Sequence, residues 1–174
     1  MKITGRNIKR RLYGLRNLGS NIKRARHFRG HGVHSPFVYS VVRQVFMPST
    51  FIGEKRDLYE ALTARDVALR RARELQNLME HCHYESFGID SAINQFEQYD
   101  IIIATTSIEP EQLDEMAKAA VAAGKTLCIM SPMLDGPRDK ACRRIVAEHR
   151  CTSIDNRGYL LLFNNHLPKQ KFRL

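Results

Sequence analysis

The sequence predicts an α/β protein: half of a doubly wound sheet closed by an antiparallel pair and preceded by an α-helical, basic N-terminal region. Three observations predict it. Two continuous runs rich in β-branched residues, YDIIIATT (99–106) and KTLCIM (125–130), have the composition of strands buried on both faces of a parallel sheet. Each is followed by a segment carrying helix start and stop signals, so the order reads as strand–helix units with right-handed crossovers. Finally, the positive charge is confined: residues 1 to 53 hold eleven Lys/Arg and no acid, whereas residues 54 to 174 carry seventeen Lys/Arg against eighteen Asp/Glu.

The N-terminal region comes first in chain order. Ile8, Leu12, Leu15, Leu18 and Ile22 fall at the three-and-four spacing of one helical face, with Lys9, Arg10, Arg11, Arg16, Lys23, Arg24 and Arg26 around the rest. Gly14 and Gly19 each cost about 1 kcal/mol relative to alanine, so this helix is expected to form when its stripe is packed. Gly30 and Gly32 end it. Ser35 then suits an N-cap and Pro36 a first helical position, opening a helix over FVYSVVRQVF (37–46). MPSTFIG (47–53) interrupts the pattern. Residues 54 to 81 read as one or two helices through Leu58, Leu62, Ala68, Leu69, Leu75, Leu78 and Met79.

The second half follows the strand–helix rhythm. SIEPEQLDEMAKAAVAAG (107–124) reads as a helix with Ser107 as its cap and Gly124 as its stop. Asp135 and Pro137 open another over residues 135 to 150. CTSID, a tight NRG turn and YLLLFN make an antiparallel hairpin. The organisation expected is a basic helical region with its box at 1–53, a helical connector at 54–98 and a partial α/β domain at 99–174.

That element order, ending in a hairpin, resembles the C-terminal half of a class I S-adenosylmethionine-dependent methyltransferase. The stretch HGVHSPFVY (31–39) is similar to the N-terminal signature of a methyltransferase-like family common in Bacteroidetes. On that resemblance SFGIDS (86–91) corresponds to a D-F-G-A-G-S stretch, YDIIIATT to the fourth strand, KTLCIM to the fifth and LPKQKFRL to a basic tail. It implies a half-length Rossmann-like sheet. It also exposes what is missing, because Asp90 and Tyr99 are separated by only eight residues where the family places its first three strands and glycine-rich loop. The family's acids at the ends of the fourth and fifth strands are replaced by Thr105 and Thr106 and by Ser131 and Pro132, with Asp135 four residues late. Thr105, Thr106 and Asp135 are the residual substrate-side candidates.

Chemistry read from the residues is sparse. The single G-x-G, Gly30 to Gly32, precedes a helix without following a strand and so fails as a dinucleotide fingerprint. His27, His31 and His34, or His81 and His83 with Cys82, match no structural zinc spacing, and no metal is expected. His31, Gly32, His34 and Ser35 are ligand- or anion-binding candidates, because loops ending in helix N-termini attract anions; the alternative is simple helix capping. No catalytic residue is assigned, since neither a carboxylate pair nor a nucleophile–base arrangement is arguable.

The basic leader carries the remaining signal. Lys9, Arg10, Arg11, Arg16, Lys23, Arg24, Arg26 and Arg29 are the candidate contacts to nucleic acid or an acidic partner, with Tyr13 and Phe28 as the aromatics available for stacking. The plain alternative is a solvated basic face over a stripe packed on the protein's own sheet or covering its edge. A homo- or hetero-oligomer through an exposed sheet edge is a further expectation. No run approaches the roughly 18 to 20 apolar residues of a membrane span, and the start lacks the apolar region of a secretory signal. It is arginine-rich and acid-free, as organelle transit peptides also are. Four dispersed cysteines favour reduced thiols and a cytoplasmic location. Together these imply a degenerate, non-catalytic methyltransferase-like protein that binds RNA or a protein partner. No cofactor is expected. The alternative is an active methyltransferase that uses S-adenosylmethionine in an atypical or oligomer-completed site.

Overall fold

The computed structural model describes residues 34–164 and 167–174. The amphipathic basic segment, its glycine stop, His31, Gly32 and all eight basic contact candidates lie outside the described residues.

Helix α1 (Pro36–Val41) begins as its sequence demands. Ser35 is the N-cap, its hydroxyl accepting from the Val38 amide at 3.4 Å, and Pro36 occupies the first turn. The helix widens into a π turn over Val42–Phe46, where Val42, Val45 and Phe46 are all buried. The long polar–apolar segment forms two helices, α2 (Asp57–Thr63) and α3 (Leu69–Cys82). The chain turns between them at Asp66, which has φ +58°.

Strand β1 (Phe87–Ile89) falls inside what the sequence suggests is a helical connector, and is a difference from that expectation. Three residues are too few for a periodicity to register. A 3-10 turn (Ile93–Gln98) leads to β2 (Ile101–Ala104), then α4 (Leu113–Ala123), β3 (Thr126–Met130), α5 (Gly136–Glu148), β4 (Ser153–Asp155) and β5 (Tyr159–Leu162). Helix α4 starts six residues later than Ser107, because residues 107–112 form turns off the Thr105 and Glu109 carbonyls. Gly124 closes it at φ +67°, and the Asp135 carboxylate caps α5 by accepting from the Arg138 amide at 3.0 Å. The tail adds β6 (Lys171–Arg173), which pairs parallel with β4. The buried Leu174 that follows anchors it through its amide to the Asp155 carbonyl, 2.9 Å.

The result is a mixed α/β fold around one six-stranded sheet in the order β1-β2-β3-β5-β4-β6. β1, β2 and β3 are parallel; β5 inserts antiparallel between β3 and its hairpin partner β4. Alternation along β2 sends Ile101 and Ile103 to one face and Ile102 and Ala104 to the other. Helices α1 to α3 cover the first face, and α4, α5 and the 3-10 turn cover the second. That double burial is why the strands read as unbroken apolar runs. No helix among the described residues is long and apolar enough to cross a membrane.

Candidate functional site

Open parallel sheets hold ligands beyond the carboxyl ends of their strands, and here the ends of β1, β2 and β3 border a cleft of about 420 Å³. Its floor is made by Asp90, Thr105, Thr106, Ser107, Met130 and Ser131, and its outer wall by the α2–α3 turn and Arg71.

Asp90 organises the floor. It follows β1 with φ +51°, a conformation aspartate tolerates better than most residues. Both carboxylate oxygens are committed to Thr105: Oδ1 accepts from its amide at 2.7 Å, and Oδ2 accepts from its hydroxyl at 2.6 Å. The Thr105 hydroxyl in turn accepts from the Ser107 amide at 3.2 Å. Ser131, after β3, is also left-handed at φ +48°, and its amide donates to the Gly158 carbonyl at 2.8 Å. Asp66, Asp90 and Ser131 thus gather three strained residues at one cleft, a pattern typical of sites where local geometry is over-determined by its surroundings.

Two buried charges hold the cleft from behind. Arg138 is 1% exposed and donates to three carbonyls, Met130 at 3.1 Å, Ile108 at 2.7 Å and Thr105 at 2.8 Å. It thereby ties the ends of β2 and β3 together, and burial lowers its pKa from the usual guanidinium value. Glu74, also 1% exposed, accepts from Arg70 at 2.8 Å, Arg71 at 2.7 Å, Asn156 at 3.3 Å and the Tyr159 hydroxyl at 3.1 Å. Burial, with the Glu74 charge beside it, pushes the Tyr159 phenol well above its ordinary range. Arg71, which lines the cleft, also donates to Asn156 at 3.2 Å.

The sequence candidates are therefore distributed unevenly. Thr105 and Thr106 do line the cleft, whereas Asp135 is committed to capping α5. Ser35 caps α1, and His34 beside it is exposed. Among the described residues no group of three histidine, cysteine or acidic side chains can hold a metal. His81 bonds Ser40 at 3.0 Å, and burial, together with neighbouring His83, lowers its pKa. Sequence reasoning missed Asp90, Arg71, Glu74 and Arg138. Asp90 was findable as the residue ending the strand-like SFGI, opposite the threonines that end β2.

The described lining of the cleft offers hydroxyl and guanidinium donors, and its floor carboxylate is bonded to Thr105. The chain matches no protein-family model, no curated protein and no solved structure.

Proposed function

We propose that the chain is a degenerate methyltransferase-like protein that does not transfer methyl groups and acts by binding RNA through its basic N-terminal region. The strand order supports this reading: β2 and β3 lie side by side with an antiparallel strand of the closing hairpin next to them, as the resemblance implies for the fourth and fifth strands and the hairpin.

The observation that carries the loss of catalysis is Asp90. A nucleoside-bearing cofactor needs close backbone approach after the first strand and an acid for its ribose. Here the residue after β1 points a carboxylate across to Thr105, consuming that amide, and only residues 90 to 100 connect β1 to β2. The residues present do not fit S-adenosylmethionine. With catalysis set aside, the eleven cations and no acids of residues 1 to 53 are the strongest remaining feature, suited to phosphate neutralisation with low sequence preference. The four unpaired cysteines accord with work in a reducing compartment, the cytoplasm.

One observation favours a second reading. Among the described residues β1 is one of the two edge strands of the sheet, so a second subunit adding strands beside it would rebuild a cofactor site. A thermal-shift titration separates the two. S-adenosylmethionine and its demethylated product are expected to leave the melting temperature unchanged. Single-stranded RNA is expected to bind with affinity that falls steeply with salt, and replacing Arg10, Arg11, Lys23 and Arg24 by alanine reduces the log–log salt slope by about 3 to 4. A rise in melting temperature with the cofactor, without RNA binding, overturns the proposal.

A further inference from the structure

RNA binding through the N-terminal region leaves the cleft at the carboxyl ends of β1 to β3 without a role. Its volume of about 420 Å³ lies low in the range of small-molecule sites, about 300 to 1,000 Å³. Arg71 is a donor fixed in its wall. It donates through Nη1 to Glu74 Oε2 at 2.7 Å and to Asn156 Oδ1 at 3.2 Å, and its guanidinium carbon lies 5.7 Å from the centre of the Tyr159 ring. The β4–β5 turn makes room for it at Gly158, where a Cβ would collide with Arg71 Nε, Cδ and Cζ. The guanidinium is thus oriented before any ligand arrives, and among the described residues its Nε and Nη2 bond no acceptor.

The rest of the lining is mostly polar. Thr106, Ser107 and Ser131 line the cleft, and no protein group among the described residues bonds their hydroxyls. Arg65 adds a second guanidinium and Asp66 a carboxylate, both exposed on the outer wall. The described lining contains no aromatic ring.

These groups sort ligands by class. Guanidiniums only donate, so they call for an acceptor-rich anion, and their fork matches phosphate oxygens in two-point contact. Two of them suit the near-double charge of a phosphate monoester better than the single charge of a carboxylate. Hydroxyls both donate and accept, and an aspartate accepts, which suits a polyol. A nucleobase would find no ring here to stack on. We propose that the cleft takes a phosphorylated sugar of about pentose size, its phosphate on Arg71 and Arg65 and its hydroxyls on Thr106, Ser107, Ser131 and Asp66. The site does not depend on RNA binding by residues 1 to 53.

Calorimetric titration of the full-length chain with ribose 5-phosphate tests it, with ribose, inorganic phosphate and AMP as comparisons. Ribose 5-phosphate is expected to bind more tightly than each of the three. A hydrogen bond to a charged group is worth about tenfold in affinity or more, so Arg71→Met is expected to weaken binding at least tenfold. Because Arg71 also bonds Glu74, a second variant leaves that pair intact. Thr106→Val combined with Ser107→Ala, at two exposed residues, is expected to weaken binding about tenfold. Gly158→Ala, which displaces the Arg71 side chain, should give a smaller loss in the same direction. No binding of ribose 5-phosphate, an affinity that neither cleft variant changes, or tighter binding of inorganic phosphate or AMP overturns the proposal. Loss of sugar-phosphate binding on replacing Arg10, Arg11, Lys23 and Arg24 by alanine also overturns it, since the leader then holds the anion. An equal loss of RNA affinity in Arg71→Met overturns it as well and assigns the cleft to the RNA surface.

Discussion

The two faces of the sheet bury different chemistry. Beneath α4 and α5 lies an apolar core in which Ile102, Leu127, Ile129, Leu160 and Leu162 meet Leu113, Met116, Ala120 and Ile145, with the buried Arg138 and Asp139 of α5 at its end. Beneath α1 to α3 a comparable apolar core shares its space with a row of polar side chains on one helix, Glu74, Gln76 and Asn77, each at most 2% exposed. The row follows from connectivity. The second face is made by helices that run directly between strands, so regular hydrogen bonding satisfies nearly every backbone group. The first face is assembled from an irregular entry segment. Asn77 holds its loop by donating to the Thr50 carbonyl at 3.0 Å and accepting from the Ile52 amide at 3.2 Å; Gln76 accepts from the Tyr59 amide at 3.1 Å in the first turn of α2. Several buried side chains hold this irregular segment, whereas on the other side the buried Arg138, at the end of the sheet, holds the carbonyls of Met130, Ile108 and Thr105.

Removing the centre of that row is the strongest way to break the symmetry between faces. Glu74→Ala leaves Tyr159, Asn156 and Arg71 without their common acceptor, and is expected to cost about 3 to 5 kcal/mol in urea unfolding. Glu74→Gln keeps the shape and part of the bonding and costs less. On the other face Arg138→Met, which frees three carbonyls behind the cleft, is expected to cost about 3 kcal/mol. If Arg138→Met proves more damaging than Glu74→Ala, the polar row is not the main tie. Asn77→Ala is a smaller and more local change, about 2 kcal/mol. It is expected to speed hydrogen exchange and proteolysis across residues 48–53 before the sheet loosens.

The same contrast explains what the sequence made legible. β2, β3, the hairpin and the caps at Ser35, Gly124 and Asp135 are local statements, each contained in a few consecutive residues. The mixed α/β architecture follows from them. β1 is marked only by the strand-like SFGI, because three residues show no period, and β6 is not visible because KFR alternates charge and apolar character as any solvated tail does. The cleft was half legible. Thr105 and Thr106 follow from strand ends, but Asp90 acquires its role only from a partner fifteen residues away. Arg138 sits in a run, GPRDKACRR, whose other cations are exposed, so nothing local marks it as the one turned inward. Glu74 likewise looks like an ordinary surface helix acid until Tyr159 and Asn156 are placed above it.

The smallest expected effect compares the faces through two histidines. His149, at the end of α5, is 7% exposed, and burial lowers its pKa from 6.5, against the opposing pull of the Phe163 and Thr152 carbonyls and with a further lowering by Lys169 and Lys171. His81, on α3, shifts in the same direction through burial and His83, but it is more open to solvent. For a base whose folded pKa is depressed, the unfolded chain binds protons that the native state refuses. Stability is therefore full above the unfolded value near 6.5 and falls as pH drops below it, until the native state also protonates. Urea melts between pH 7.5 and 5 are expected to show this loss. His149→Gln should flatten the slope more than His81→Gln, because the first ring is buried against the Phe163 carbonyl at the amino edge of the sheet while the second is half-buried beside Ser40. Equal flattening by both would mean that burial does not distinguish the two rings, and that the two sites present the same environment to a proton.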